Sequence, residues 1–378
     1  MIGTSRRGAA HWAVPAEPPA AEVDVLIPTA GRSAELAVTL AGLAAQDDPP
    51  FRVVLSDQSN AGAETAPAVR SMFRVLRAQG RPVEVHRHMP RRGMAEQRQF
   101  LLDRASAGRN LFLHDGARLA PGSLRRLDEA LSELDCGFVG YAVQGLSYLG
   151  DPRPEETSVF EPWEGGEVRP ERVRPGEPAF GRWRLHNAAN PAHLAAQRRL
   201  DDDAHLPYRI AWIGGCGLFD RDSLVEAGGF DFWRRLPTAH AGEDRAAQWR
   251  VMERFGGAGI LPSGAVHLEA PTTVEDRRVE ASDLVFPRSG REDPGDARPP
   301  QGARFRARQR EETPMSERPN PIQIQKFLGG VDYPASREEL LRAAREAGAS
   351  DDVIDALDRL PDRDYEKPTD VSGAVSGG

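Results

Sequence analysis

Cysteine and lysine are nearly absent from this chain. Cys136 and Cys216 are the only two thiols in 378 residues. That number excludes a disulfide framework, and their spacing excludes a cysteine-based zinc site. Both stand in apolar, glycine-containing runs, CGFVGYAV and WIGGCGLF, as buried thiols of a reducing compartment do. Lysine occurs only at positions 326 and 367, so arginine carries nearly all the positive charge. A codon bias towards GC-rich triplets accounts for that. No apolar run approaches the roughly 20 residues of a membrane span. The first residues, MIGTSRRGAAHWAVPAEPPAAE, hold two arginines but no apolar stretch, so they do not read as a signal peptide. The formal net charge of -8 argues against non-specific binding to nucleic acid or acidic lipid. A cytoplasmic chain is expected, with peripheral contact at the inner membrane face compatible with it.

What is present is a rhythm. Residues 1–21 are rich in Ala and Pro and read as disordered. From Val23 on, short apolar runs alternate with amphipathic stretches. VDVLIP (23–28), FRVVLS (51–56), VEVH (83–86), LFLH (111–114) and CGFVGYAV (136–143) read as strands. Between them lie helices with Leu36, Leu40 and Leu43, then Val69, Met72, Phe73 and Leu76, then a stretch from about Met94 to Ala105, then Leu124, Leu127, Leu131 and Leu134 on one face each. Ser33 is placed to cap the first of these. Such alternation predicts an α/β domain: a mostly parallel sheet with helices on both faces. Ligands of such sheets bind beyond the carboxyl ends of the strands, which directs attention to Thr29–Arg32, Asp57–Asn60, His86–Arg92 and His114–Arg118.

Residues 145–208 break the rhythm with Pro, Glu, Arg and two tryptophans, Trp163 and Trp183. A long irregular insertion in a regular domain is usually functional. Regularity returns with RIAWIGGCGLFD (209–220), a helix from about 242 to 255 and a strand near GILPSGAV (259–266). Residues 287–320 read as a linker. Beyond it, Ser336 and Glu339 form a capping box, Gly348 can end that helix, Ser350 can cap another, and Pro361 stops it. The expected domains are therefore 22–286, a small all-α module at 321–366, and a disordered tail at 367–378.

The first strand-to-helix turn, PTAGR, is neither a dinucleotide fingerprint nor a P-loop. A nucleotide held here would rely on strand-end carboxylates and backbone groups. Asp57 is placed to accept from a base N–H, or simply to cap its own turn. Asp115 in His114-Asp115-Gly116 is where a cation bridging phosphates would be held, and is equally an ordinary turn residue. Glu243-Asp244 opens a predicted helix, where acids are favoured by the dipole and where a general base could act on an acceptor hydroxyl. His267 closes a strand and is either a neutral imidazole ligand or a hydrogen-bonded surface residue.

The series VDVLIPTAGR, LSDQSN, RRGMAEQR, FLHDGARLAPGSL, WIGGCGLFDRDSLVEAGGFD, GED and a late strand ending in His resembles family 2 of the glycosyltransferases over about residues 22–285. The resemblance implies a GT-A-type fold and inverting transfer from a nucleotide-sugar donor. Thr29, Ala30 and Arg32 would line the nucleoside site, Asp57 would contact the base, and Gly93 and Arg98 would lie by the ribose and phosphates. Asp115 and His267 would hold Mn²⁺ or Mg²⁺ on the diphosphate. Asp244, beside Glu243, would act as base. Gly215 of WIGGCGLF and Asp231 of GGFD would lie towards the acceptor, with Trp163 and Trp183 as stacking faces. The acceptor is a glycan, a lipid-linked molecule or a small molecule.

The family's metal motif is usually Asp-x-Asp, and here only the middle position is acidic. Four outcomes stay open: Asp115 and a histidine suffice, metal binding is weak, arginines such as Arg92 and Arg98 neutralise the diphosphate, or the site is catalytically silent. The tail, with its Gln-Lys-Phe-Leu, Asp-Tyr-Pro and Leu-Pro-Asp-Arg-Asp-Tyr elements, resembles the small bacterial domain DUF2795. It carries no nucleophile or ligand constellation, so contact with a protein partner or a second copy is its expected role.

Overall fold

A computed structural model describes residues 9–13, 17–201, 203–271, 278–286, 334–346, 349, 351–365 and 371. The chain forms two compact units, Met1–Asp293 and Pro294–Gly378. The expected linker at 287–320, the Gln-Lys-Phe-Leu element, Gly348 and Ser350 lie outside the described residues.

The first unit holds eleven described strands: β1 (Val23–Thr29), β2 (Phe51–Asp57), β3 (Val83–Arg87), β4 (Arg109–Leu113), β5 (Ala117–Leu119), β6 (Phe138–Gly140), β7 (Gln144–Gly145), β8 (Leu206–Tyr208), β9 (Cys216–Asp220), β10 (Ala258–Leu261) and β11 (Ala265–His267). Eight of them form one sheet in the order β3-β2-β1-β4-β9-β6-β10-β8. The pairs β1–β2, β2–β3, β1–β4 and β6–β10 are parallel. Strand β9 runs antiparallel between β4 and β6, and β8 closes the far edge antiparallel to β10.

Both faces of the sheet are covered. All seven residues of β1 are buried, which is why it reads as a continuous apolar run. Val23, Val25 and Ile27 face one core, built with the helices Ser33–Ala44, Pro67–Ala78 and Ser123–Leu134. Leu26 faces the other, built with the helices Met94–Leu102 and Glu243–Phe255. The apolar positions read from the sequence are these contacts: Leu36, Leu40, Leu43, Val69, Phe73, Leu76, Leu124 and Leu127 are all buried.

The structure refines several boundaries. Arg32, not Ser33, is the N-cap of the first long helix, and no side chain caps it. The run 136–143 pairs only over Phe138–Gly140, where a Cβ on Gly140 would lie 2.6 Å from the Cys216 carbonyl oxygen. Ala9–Trp12 form one helical turn within the stretch read as disordered. Among its described residues the insertion 145–208 holds short turns, two α-helices, Pro154–Thr157 and Asn190–Gln197, and β8 at its end. A second sheet, β5-β11-β7, sets His267 opposite Ala117 and Gly145.

In the second unit, helices Arg337–Glu346 and Asp351–Asp358 bury Leu340, Leu341, Ala344, Val353 and Leu357. The Ser336–Glu339 capping box is formed, with the Ser336 N–H donating to Glu339 Oε2 at 2.9 Å. To the expected helices the structure adds a two-residue antiparallel pair, β12 (Ala335–Ser336) with β13 (Asp364–Tyr365). Among the described residues no helix is long and apolar enough to cross a membrane.

Candidate functional site

Parallel β1 and β4 lie side by side, so their carboxyl ends bring Thr29 and Asp115 together. Thr29 Oγ1 donates to Asp115 Oδ2 at 2.8 Å, and Arg32 Nη1 stands 3.4 Å from Oδ1. The Ala30 N–H also donates to this carboxylate. Thr39 fixes the backbone by donating its hydroxyl to the Asp115 carbonyl at 2.8 Å. Burial raises the Asp115 pKa, and the Thr29 bond and the Arg32 charge pull against it.

His114 is held from two sides. Its backbone N–H donates to the Gly215 carbonyl at 2.9 Å, and its ring Nε2 accepts from Arg98 Nη2 at 2.9 Å. Burial, then the Arg98 charge, pushes its pKa down to about 4, so the ring is neutral. Arg98 also donates through Nε to Glu243 Oε1 at 2.9 Å, and both side chains are over nine-tenths buried. Its guanidinium lies 5.7 Å from the Phe112 ring centre and 6.0 Å from that of Phe230. Burial raises the Glu243 pKa while Arg98 draws it back.

Glu243 and Asp244 open the helix Glu243–Phe255, as the dipole favours. Their fates differ. Glu243 is buried and committed to Arg98, whereas Asp244 is half-buried. The Asp244 Oδ1 accepts from the Arg245 N–H at 2.7 Å. Its Oδ2 would be 4.0 Å from a Cβ on Gly214, so the glycine leaves that side of the carboxylate uncovered.

Asp57 is fully buried and organises its own loop. It accepts from the Ser59 N–H (2.8 Å), the Ala63 N–H (2.7 Å) and Arg87 Nη1 (2.9 Å). Burial opposes its charge, and these bonds outweigh that and hold its pKa below the usual carboxylate value. Gly93 has φ of 102° and begins the helix Met94–Leu102 beneath His240. That histidine accepts the Ala95 N–H at Nε2 (3.1 Å) and donates from Nδ1 to the Pro237 carbonyl (2.7 Å). Sequence reasoning missed this cap, because nothing local to either residue announces it.

The residues expected at the acceptor have partners of their own. Trp163 is 6% exposed, lies in the core, and has Arg209 stacked 3.9 Å from its ring centre. Trp183 packs partly buried against the second core. Asp231 is exposed and pairs with Arg250 at 2.6 Å. Gly215 accepts the His114 backbone N–H at its carbonyl. A hollow of about 360 Å³ lies instead beside His267, lined by Val143, Tyr148, His186, Ala188 and Glu269. Ala188 (φ 51°) and Glu269 (φ 56°) both take the left-handed conformation there. Such outliers concentrate at functional sites. A larger cavity of about 910 Å³ between Arg174, Trp249 and Phe286 holds none of the acids and bases just described.

The donor set does not fit the divalent cation that the resemblance implies. Both Asp115 oxygens face donors of the chain, one of them cationic. His267 Nδ1 accepts from the Glu269 N–H at 2.8 Å. A neutral imidazole with its lone pair at Nδ1 carries its proton on Nε2 and has nothing left to give a metal. The ring's pKa is lowered by burial and then by Arg32. His114 Nε2 is taken by Arg98. Among the described residues, no group of three or more His, Cys, Asp or Glu is arranged to hold a metal ion.

Residues 319–372 match the family described as a protein of unknown function, DUF2795, as the tail's sequence elements imply. No curated protein matches the chain. Solved structures similar to it include S. aureus TarS 1-349 in complex with UDP-GlcNAc, at 14% identity and a TM-score of 0.44 over 67% of this chain and 60% of that one. The mannosyltransferase PcManGT from Pyrobaculum calidifontis, in complex with GDP-Man and Mn²⁺, has 17% identity and a TM-score of 0.42 over 70% and 61%. GalNAc-T7 with UDP, GalNAc and Mn²⁺ has 16% identity and a TM-score of 0.44 over 65% and 44%. The chain thus spans less than two thirds of each of these structures.

Proposed function

We propose that this chain is an inverting glycosyltransferase of the GT-A type, moving a sugar from a nucleoside-diphosphate sugar to an acceptor hydroxyl or amine. The observation that carries the reading is the pairing at the head of the helix Glu243–Phe255. Arg98 locks Glu243, while Asp244 beside it stays half-exposed next to Gly214 and close enough to His114 to affect its charge. Two adjacent carboxylates in such different environments divide their roles: one positions, the other exchanges a proton.

In the proposed step Asp244 takes the acceptor proton as the acceptor oxygen or nitrogen bonds to the anomeric carbon. The bond to the diphosphate breaks on the opposite face, and its electron pair leaves with the nucleoside diphosphate. Fixed positive charge stabilises that leaving group best where water is excluded. The strained hollow beside His267 supports acceptor binding there, and the C-terminal unit is proposed to contact a protein partner or a second copy.

The test is hydrolysis of a panel of nucleotide sugars, followed by Asp244→Asn. This substitution should preserve the fold and nucleotide binding and lower turnover at least about a hundredfold. Near-normal turnover would remove Asp244 from the role of base. The second reading, a silent nucleotide-sugar-binding module, is favoured by the missing acids at His114 and Gly116. It predicts binding by the wild type with no hydrolysis of any donor.

A further inference from the structure

The disagreement between the motif and its surroundings has a consistent chemistry. Gly116 occupies the position where the family usually places its second metal-binding Asp. A Cβ there would lie 3.2 Å from Arg32 Nη2, so the guanidinium lies directly over the bare glycine. Arg32 Nη1 at the same time faces Asp115 Oδ1 at 3.4 Å. Arg32 Nη2 is buried and has no hydrogen-bond partner among the described residues. A buried donor of this kind is costly to leave unsatisfied.

Resting on the reading above, we propose that the Arg32 guanidinium takes the place of the divalent cation, so that this chain binds nucleoside diphosphate without a metal. The charges are consistent with this. Two carboxylates and a dication sum to zero, and so do the one carboxylate of Asp115 and the Arg32 guanidinium beside it. A cation placed against Asp115 would also meet Arg32 as a like charge. A guanidinium differs from a metal in offering a planar fork of N–H donors, which suits phosphate oxygens. The unpartnered Nη2 is the arm of that fork left for the ligand.

Titration calorimetry of the full chain with UDP, GDP, ADP and TDP, in EDTA and in Mn²⁺, tests the proposal. At least one nucleoside diphosphate should bind, with affinities in the two conditions within about threefold. Arg32→Gln should weaken that binding at least about tenfold in both conditions, about 1.4 kcal/mol. Arg32→Lys keeps the charge and loses the fork, so it should fall between. General damage to the fold would instead weaken both variants alike and lower their melting temperatures. Binding that needs Mn²⁺, or an Arg32→Gln variant with wild-type affinity, overturns the metal-free site and leaves the proposed activity standing. No binding of any nucleoside diphosphate in either condition overturns both.

Discussion

Asp24 shows how one residue can hold an edge of the fold while its role stays invisible in the sequence. It is fully buried inside β1, within a run that reads as apolar. Its carboxylate accepts from Arg52 Nε (2.7 Å) and Nη2 (3.0 Å) and from the Ser106 and Ala107 N–H groups (2.6 and 2.9 Å). Burial opposes the charge, yet these donors hold its pKa below 3.8. A depressed folded pKa gives stability that is present above the unfolded value and lost as pH falls through the folded one. Asp24→Asn should therefore cost about 2 to 3 kcal/mol in urea unfolding near pH 7, with the deficit shrinking below about pH 4. A deficit independent of pH would show that the charge is not what matters. The partner is Arg52, which the parallel register sets directly opposite Asp24. Periodicity tells which face a strand buries but not its neighbour's register, so this pair could not be read in advance. Thr29, Arg32 and Asp115 were legible as candidate site residues because strand ends are where such sheets bind ligands. Their bonds to one another, on which the proposed metal-free site rests, were not.

Elements were legible where local pattern and tertiary demand agreed. Through Leu134 every expected strand and helix is present, because each apolar stripe meets a face of the sheet. Beyond Gly140 the agreement weakens. β8 and β9 are antiparallel, and each passes a glycine closely, the Tyr208 ring of β8 against Gly259 and the Cys216 carbonyl of β9 against Gly140. The helix Met94–Leu102 is a sharper case. Its N-terminus has no local side-chain cap, and His240, 145 residues away, accepts the Ala95 N–H instead. The fit depends on Gly93, where a Cβ would come within 2.4 Å of His240 Cε1 and 2.7 Å of the Thr238 carbonyl oxygen. Its φ of 102° adds strain for any other residue. Gly93→Ala should lower stability by about 2 to 4 kcal/mol, from overpacking together with backbone strain. A urea midpoint close to wild type would mean that the loop carrying His240 moves aside at little cost, and that the cap is dispensable.

For the whole molecule, the decisive question is whether the two compact units depend on each other. The first carries all the chemistry described here, and both faces of its sheet are closed by its own helices. The second has its own capping box and a core of Leu340, Leu341, Ala344, Val353, Leu357, Leu360 and Tyr365. A core of this size gives a small domain only marginal stability, so a docking partner would be expected to stabilise it. The division at Asp293 and the family match beginning at residue 319 place the break outside both cores. A chain ending near Asp293 is therefore expected to fold, to unfold at nearly the same urea concentration as the full protein, and to keep the proposed activity, read as donor hydrolysis. What it should lose is association, read as a change in mass by light scattering or as loss of a bound partner. Hydrolysis and scattering measured on both lengths decide the matter. If the shortened chain is insoluble or inactive, the C-terminal residues are needed by the first unit, and the match to a separate family would mark a module on which that unit depends.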